Sequence, residues 1–245
     1  MKKTISTTAL VGILSLIGGN LFAQTNAPTI PVGDLSAFPT IVQAGTHPQL
    51  TWNVTIPASV VDVITVTPPG TITAKRKLRM DVRVLGASVW ASTTNSRGQV
   101  TGGYFVPTEA QMRVNSGSYS RIFYDTHDDI NPNTIVKTQT LYTGNTVNFG
   151  GRYYFNGSWS TLYTTTNNNQ QVVALINGNT PPTTTPLYQQ PTIQSFILPY
   201  LDTQGKIKLG PRDVIYLMEL AHTDKNNGGW DLQDLALLVT FTEIN

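Results

Sequence analysis

Hydrophobic and polar residues alternate along much of this chain with a period of two, which is the pattern of a β-strand with one buried face. The clearest example is residues 78–84, where apolar side chains alternate with Arg79, Asp81 and Arg83. A polar face of this kind is typical of antiparallel sheets, so the segment predicts a half-buried antiparallel strand. Further strands are predicted at residues 50–56, 60–67, 172–176, 193–198, 213–220 and 235–241.

Turn residues separate these predicted strands. Asn156-Gly157 lies between two aromatic runs and predicts a hairpin over residues 152–163, because both residues tolerate the positive φ angles of a two-residue turn. A second hairpin is predicted over residues 139–149, around Gly144. The many short strands and turns therefore predict local strand pairing along the middle of the chain.

Helical periodicity is scarce in the sequence. Residues 214–221, which follow Pro211, are also compatible with a short helix, and Glu109 lies in a possible single helical turn. The pattern as a whole predicts an all-β fold, an antiparallel β-sandwich or jelly roll with little helix. We expect one sandwich domain at residues 49–245 with a Pro/Thr-rich loop at 177–191, because the segment after this loop is short for a separate domain without cysteines.

The N-terminus has the pattern of a cleavable signal peptide. Lys2 and Lys3 precede an apolar run at residues 9–21, which is too short and too interrupted to span a membrane. We therefore predict a signal peptide at residues 1–23 and an extended lead-in at 24–48. The protein is expected to be exported to the periplasm, the cell surface or the medium, without membrane insertion after signal removal.

Composition narrows the classes of partner. The chain has 16 Lys and Arg against 14 Asp and Glu, so loss of Lys2 and Lys3 with the signal would leave it neutral. Nucleic acid is not an expected partner, because phosphate binding needs clustered basic residues. The chain has no cysteine, so burial of apolar surface rather than disulfides must stabilise it.

A glycine-bearing acidic loop near the C-terminus is the first candidate site. Asp224, Asn226, Asp231 and Asp234 supply carboxylate and amide oxygens, which are the ligands that Ca²⁺ prefers. The alternative is that these side chains accept hydrogen bonds from backbone N–H groups and stabilise turns. The spacing leaves both interpretations open, and Ca²⁺ is the one cofactor that the sequence suggests.

The same segment, residues 219–241, resembles a motif in an uncharacterised family of exported bacterial proteins. In that motif, an acidic residue precedes a Gly/Asp-rich loop and then an Asp-aromatic-Asn-Asp sequence that leads into an apolar strand. Asp231 and Asp234 match its two aspartates, whereas Leu232 and Gln233 replace the aromatic residue and the asparagine. The resemblance implies export and carries no established activity.

Aromatic residues crowd the predicted Asn156-Gly157 hairpin and form the second candidate site. Trp159, Tyr154 and Tyr163 present flat apolar faces with polar tips, on which sugar rings can stack. Because Tyr153 and Phe155 share the opposite face of their strand from Tyr154, one of the two sets must pack into the core. Carbohydrate binding and cross-strand packing are therefore both open for these residues.

Enzyme motifs are absent from the sequence. It has no Gly-x-Ser-x-Gly, His-Glu-x-x-His, P-loop or dinucleotide fingerprint, and the acidic residues around His127 are explained as well by a turn as by a metal site. We therefore expect an exported non-enzymatic protein that works by binding or surface assembly, with glycans or other surface proteins as partners. A carbohydrate-binding module and a hydrolase on a jelly-roll scaffold are the alternatives.

Overall fold

The computed structural model describes residues 59–167, 170–184 and 193–244, which lie in one compact unit, Ala58–Asn245. Several predicted features lie outside the described residues: the signal peptide (1–23), the lead-in (24–48), the strand at 50–56 and the second half of the Pro/Thr-rich loop (185–191).

The described residues form short strands with little helix, as the alternating pattern predicts. Three 3₁₀ turns, at Val60–Asp62, His127–Asp129 and Leu198–Tyr200, and one short α-helix, α1 (Ile193–Ile197), accompany the strands. In chain order the strands are β1 (Ile64–Thr67), β2 (Thr71–Ala74), β3 (Leu78–Gly86), β4 (Trp90–Thr94), β5 (Val100–Phe105), β6 (Thr108–Val114), β7 (Ser120–Asp125), β8 (Ile135–Leu141), β9 (Thr146–Phe155), β10 (Ser158–Trp159), β11 (Tyr163–Thr164), β12 (Val172–Leu175), β13 (Asp213–Met218) and β14 (Leu235–Glu243).

Most strands of the described residues belong to two large sheets. The first has the order β1-β2-β9-β6-β7, with β10 and β11 also paired to β9, and the second has the order β12-β13-β14-β3-β8. Strands β4 and β5 form a separate two-stranded sheet. Every strand pair of the described residues is antiparallel, so the predicted all-β antiparallel sandwich is confirmed.

The main hydrophobic core draws on both large sheets. Met112 and Phe149 come from the first sheet, and Val82 and Tyr216 come from the second. The rings of Phe149 and Tyr216 lie 5.1 Å apart, and the Tyr216 hydroxyl donates a hydrogen bond to the carbonyl oxygen of Gly70. Burial of these side chains between the sheets provides the stability that the cysteine-free chain needs.

A second apolar cluster covers the other side of the second sheet. Leu217 and Leu238 of this sheet pack in one cluster with Ile197 and Ile207. Strands β13 and β14 are therefore buried on both sides, which explains their continuous apolar sequence. The strand predicted at 193–198 is wrong, because this apolar segment forms α1 and the turn after it. No helix of the described ranges is long and apolar enough to cross a membrane.

Three local predictions are corrected by the pairing of strands. Strand β3 lies between β14 and β8, so even Asp81 is buried and the expected half-polar face is confined to Arg79 and the partly exposed Arg83. Glu109 lies in the middle of the first sheet, on β6, rather than in a helical turn. Residues 214–221 begin as strand β13 and do not form a helix.

The two predicted hairpins have different outcomes. Asn156 and Gly157 have φ angles of 49° and 80° and connect β9 to β10 with Phe155 opposite Ser158, so this hairpin is confirmed. The turn at Gly144 also forms, with a φ angle of 84°. However, β8 pairs with β3 in the second sheet and β9 pairs with strands of the first, so this turn carries the chain from one sheet to the other.

Candidate functional site

The outer side of the first sheet carries a group of arginine and aromatic side chains that four strand segments bring together. Glu109 on β6 lies opposite Tyr124 on β7 and Arg152 on β9. Ala110, the next residue of β6, is in the core, so these cross-strand neighbours project away from it. We call this group the arginine–aromatic face: Arg113, Arg121, Arg152, Tyr119, Tyr124, Tyr154, Trp159 and Glu109.

Three rings form the centre of the arginine–aromatic face. The ring of Trp159 lies 5.6 Å from that of Tyr124 and 5.1 Å from that of Tyr154. Tyr124 and Tyr154 are 40% and 36% exposed, whereas Trp159 is half-buried. Because β10 is the return strand of the Asn156-Gly157 hairpin, a local turn places Trp159 directly opposite Tyr154. The result is a row of three rings in which the two outer rings, those of Tyr124 and Tyr154, are partly exposed.

Arginine side chains stack on these rings. The guanidinium carbon of Arg152 lies 4.2 Å from the centre of the Trp159 ring, and that of Arg121 lies 4.7 Å from the centre of the Tyr124 ring. A cation over an aromatic face is attracted by the electron density of the ring. The stacking therefore holds both guanidinium groups at the surface of the ring row.

A buried carboxylate holds two of the arginines in place by hydrogen bonds. Glu109 is 1% exposed and accepts hydrogen bonds from Arg121 Nη2 at 3.0 Å and from Arg152 Nη2 at 3.4 Å. The amide of Gln111 also donates to Glu109. A buried charge must be paired and hydrogen-bonded to be tolerated, and here two arginines share one carboxylate.

The structure separates the three aromatic residues that the sequence singles out. Trp159 and Tyr154 belong to the arginine–aromatic face, but Tyr163 lies on β11 opposite Gly151 and packs against the main core. The sequence does not predict the arginines and Glu109 as site residues, because Arg121 and Arg152 lie 12 and 43 residues from that carboxylate. Only the strand order brings them together.

The acidic C-terminal segment forms a second group, which we call the buried carboxylate cluster: Glu219, Asp231 and Asp234. These residues are 0%, 3% and 5% exposed. Glu219 Oε1 accepts hydrogen bonds from the backbone N–H groups of Ala221 and His222. Its other oxygen, Oε2, accepts from those of Asp231 and Leu232. One side chain thus closes both ends of the intervening loop.

The two aspartates of the cluster also accept hydrogen bonds from backbone N–H groups. Asp234 Oδ2 accepts hydrogen bonds from the N–H groups of Leu220 and Ala221 at 2.7 and 3.0 Å. Leu232 has a φ angle of 59° and is fully buried, so the chain turns sharply between the aspartates. This turn aims two successive N–H groups at Glu219, an arrangement that binds anions. Asp231 and Asp234, the two aspartates that match the family motif, therefore take part in the hydrogen bonds that hold this loop.

Burial changes the acid–base properties of this cluster. Removal from water, together with the neighbouring charge of Glu219, raises the pKa of Asp231 to about 7. Burial also raises the pKa of Asp234 well above its ordinary value, with the charges of Glu219 and Asp231 acting in the same direction. No arginine or lysine forms an ion pair with these carboxylates in the described part of the chain.

The predicted calcium ligands lie in two different environments. Asp224 and Asn226 are exposed, and Asp224 Oδ1 accepts hydrogen bonds from both nitrogen atoms of Asn226. Asp231 and Asp234 are buried and accept backbone N–H groups instead. Among the described residues, no three His, Cys, Asp or Glu side chains are grouped to hold a metal ion. Calcium binding stays a prediction. The observed hydrogen bonds are those of the alternative interpretation, in which these side chains stabilise turns.

Among the described residues, His127 and Tyr153 are ionisable groups that lie beside apolar surface away from both residue groups. His127 packs against the rings of Phe105 and Phe196 at 4.5 and 5.5 Å, and burial lowers its pKa although Asp128 opposes this. A cavity of about 340 Å³ has Tyr153 as the one ionisable residue of its lining: Val89, Trp90, Ala91, Ser92, Val106, Tyr153, Phe155 and Ala221. This lining lacks the pair of carboxylates that a glycosidase needs.

Comparison with known proteins finds no match for this chain among protein-family models or curated protein sequences. Its function is therefore inferred from the arginine–aromatic face and the buried carboxylate cluster.

Proposed function

We propose that this is an exported β-sandwich protein that binds carbohydrate through the arginine–aromatic face. The observation that carries the proposal is the row of three contacting rings, Tyr124, Trp159 and Tyr154, on the outer side of the first sheet. The C–H faces of sugar rings stack on such aromatic surfaces, while hydroxyl groups bond to polar side chains beside them. Export itself rests on the signal-like sequence at residues 1–23.

The fixed positions of the rings support this proposal. A sugar binds better to a surface that does not have to be ordered first, because fewer side-chain conformations are lost on binding. Arg121 and Arg152 are each held by Glu109 and by a ring. The row is therefore prearranged in the free protein, and the guanidinium N–H groups beside it are donors for sugar hydroxyls.

Catalysis has less support from the described residues. A hydrolase on this scaffold would need two carboxylates that face a cleft, and the carboxylates of the buried cluster are occupied by backbone N–H groups. Surface assembly remains an alternative without a specific observation that favours it. Binding through the arginine–aromatic face is the function that the geometry supports best.

The experiment is a calorimetric titration of the purified protein with a panel of soluble neutral and acidic polysaccharides. Truncation of a central aromatic residue typically costs a binding interface about 2 kcal/mol, which is roughly thirtyfold in affinity. We therefore expect Trp159→Ala and Tyr124→Ala to weaken binding by roughly that factor. Tyr142→Ala is the matched control, because this tyrosine is 59% exposed in the turn between β8 and β9.

Thermal melts of each variant must accompany the titrations, so that loss of binding is distinguished from loss of the fold. The proposal fails if no polysaccharide of the panel binds. It also fails if the Trp159→Ala and Tyr124→Ala variants bind as well as the Tyr142→Ala control.

A further inference from the structure

We propose that the ligand of the arginine–aromatic face is an acidic polysaccharide, one whose sugar units carry carboxylate or sulfate groups. This inference rests on the proposed function and names its substrate class. The first observation is that three arginines of this face stack on aromatic rings. In addition to Arg121 and Arg152, the guanidinium carbon of Arg113 lies 4.7 Å from the centre of the Tyr119 ring.

Strand geometry places this third pair on the same side of the sheet. Glu109, Gln111 and Arg113 are alternate residues of β6, and β6 pairs with β9 in unbroken register from Thr108 to Val114. Alternate residues of a regular strand project to the same side. Arg113 therefore extends the row beyond the ion pairs of Glu109, so that an extended ligand would meet three guanidinium groups in succession.

The charges of the arginine–aromatic face do not balance. Glu109 is the only carboxylate that forms an ion pair with Arg121 or Arg152 in the described residues. Arg113 forms no ion pair with any carboxylate of these residues. Three guanidinium groups and one carboxylate leave an excess of two positive charges, on a chain whose formal net charge with Lys2 and Lys3 included is only +2.

Three arginines elsewhere in the described residues form ion pairs, whereas Arg83 and Arg97 form none, so the stacked rings rather than the missing ion pair alone distinguish the arginine–aromatic face. Arg76 and Arg212 both form ion pairs with the one carboxylate of Glu243, and Arg212 also approaches Asp62. Arg79 pairs with Asp81. None of these ion pairs lies beside a row of stacked aromatic rings in the described residues.

The chemistry of arginine selects the kind of ligand. A guanidinium group presents a planar set of N–H donors that matches the two oxygens of a carboxylate or the oxygens of a sulfate. The ring faces that no guanidinium group covers would stack with the sugar rings that carry those anions. Nucleic acid offers phosphates and flat bases to the same groups, but its dense charge needs more clustered basic residues than this chain, with a formal net charge of +2, supplies.

The test compares polygalacturonate with its fully methyl-esterified form, because the two polymers share one backbone and differ in charge. Alginate and chondroitin sulfate extend the acidic set, and dextran is a neutral control. We expect the protein to bind at least one acidic polymer at least tenfold more tightly than the neutral ones in low salt. This preference should shrink as the salt concentration rises.

The variant Arg113→Gln removes the unpaired charge without leaving the buried Glu109 unpaired. We expect it to lose three- to tenfold in affinity for the acidic polymer and to lose less affinity for neutral polymers. Arg113→Lys should recover part of the loss, because it restores the charge without the planar donors. Arg97→Gln is the matched control, since Arg97 is exposed at the turn between β4 and β5.

The outcomes separate this inference from the proposed function. Equal binding of acidic and neutral polymers overturns the inference and leaves carbohydrate binding in place. Binding of no polymer overturns both. Tighter binding of single-stranded poly(dT) than of every acidic polysaccharide overturns the inference in favour of nucleic acid. An acidic preference that Arg113→Gln does not reduce, in a variant with an unchanged melt, also overturns it.

Discussion

The buried carboxylate cluster and the arginine–aromatic face each gather like charges, and they differ in what compensates those charges. In the cluster, the compensation comes from backbone N–H groups: Glu219 accepts four of them and Asp234 accepts two. On the face, a single buried carboxylate, Glu109, is shared by two arginine side chains, and a third arginine has no ion pair among the described residues.

Under the proposed function, this difference separates a structural use of charge from a binding use. Backbone N–H groups are fixed by the fold, so both oxygens of Glu219 and the Oδ2 atom of Asp234 are occupied by them and serve to close a loop. Arginine side chains reach the surface and keep donors that the protein does not use. We infer that acidic residues in a glycine-bearing loop need not mark a metal site, whereas incompletely compensated arginines beside exposed rings mark a binding surface.

The largest effect is expected from removal of the centre of the cluster. Glu219→Ala leaves four N–H groups of the loop without their acceptor, and we expect the free energy of unfolding to fall by about 4 kcal/mol. Glu219→Gln keeps one acceptor oxygen and should lose about half as much. Urea denaturation measures both values. Glu243→Ala, at an exposed ion-paired glutamate, is the control and should change little.

A fall of less than about 1 kcal/mol for Glu219→Ala would contradict this account. It would mean that the loop N–H groups find water or other acceptors without cost.

The next effect is a decrease in stability as the pH rises. Because the pKa of Asp231 is raised to about 7 in the folded protein, from an ordinary value of 3.8, folding favours its protonated form. This contribution is complete below about pH 4 and is lost as the pH rises through 7, at up to about 1.4 kcal/mol per pH unit. The raised pKa of Asp234 acts in the same direction.

Urea denaturation at pH 5 and pH 8 measures this dependence, and the protein should be less stable at pH 8. In Asp231→Asn the amide keeps an oxygen that can accept from the N–H group of Gln233 but cannot ionise, so the decrease should be smaller. Greater stability at pH 8 than at pH 5 would contradict the assigned environment of the cluster.

A smaller effect is expected when the anchor of the arginine–aromatic face is neutralised. Glu109→Gln removes a buried charge whose partners, Arg121 and Arg152, can turn to water because they are partly exposed. We expect a loss of about 1–2 kcal/mol, less than for the buried cluster. Because the face becomes more positive, its affinity for an acidic polysaccharide should hold or rise. A loss of stability as large as that of Glu219→Ala would remove the contrast between the two regions.

The smallest effect is expected from calcium. A ligand at 100 times its dissociation constant would add about 2.7 kcal/mol of stability and raise the melting temperature by several degrees. Since the oxygens of Asp231 and Asp234 already accept backbone N–H groups, we expect equal melts in chelator and in millimolar calcium. A rise in calcium that Asp224→Ala removes would instead confirm the calcium site predicted from the sequence.

Local sequence was sufficient for features that depend on neighbouring residues. The period of two predicted strand β3, apolar runs predicted β13 and β14, and Asn156-Gly157 predicted the β9–β10 hairpin, because φ preference and alternation act within a few residues. The opposite projection of Tyr153 and Tyr154 followed from the same alternation. Short apolar runs were ambiguous: residues 193–198 were predicted as a strand and form α1 and the start of a 3₁₀ turn.

Tertiary structure decided which strands distant in the sequence became neighbours, and both residue groups depend on that pairing. The turn at Gly144 was predictable, but its flanking strands pair in different sheets, since burial of both faces of the second sheet outweighs local pairing. Glu109 acquires Arg121 and Arg152 only because β6 lies between β7 and β9. The sequence determined the strands and turns of this protein, whereas long-range packing determined which charges are compensated and which remain available to a ligand.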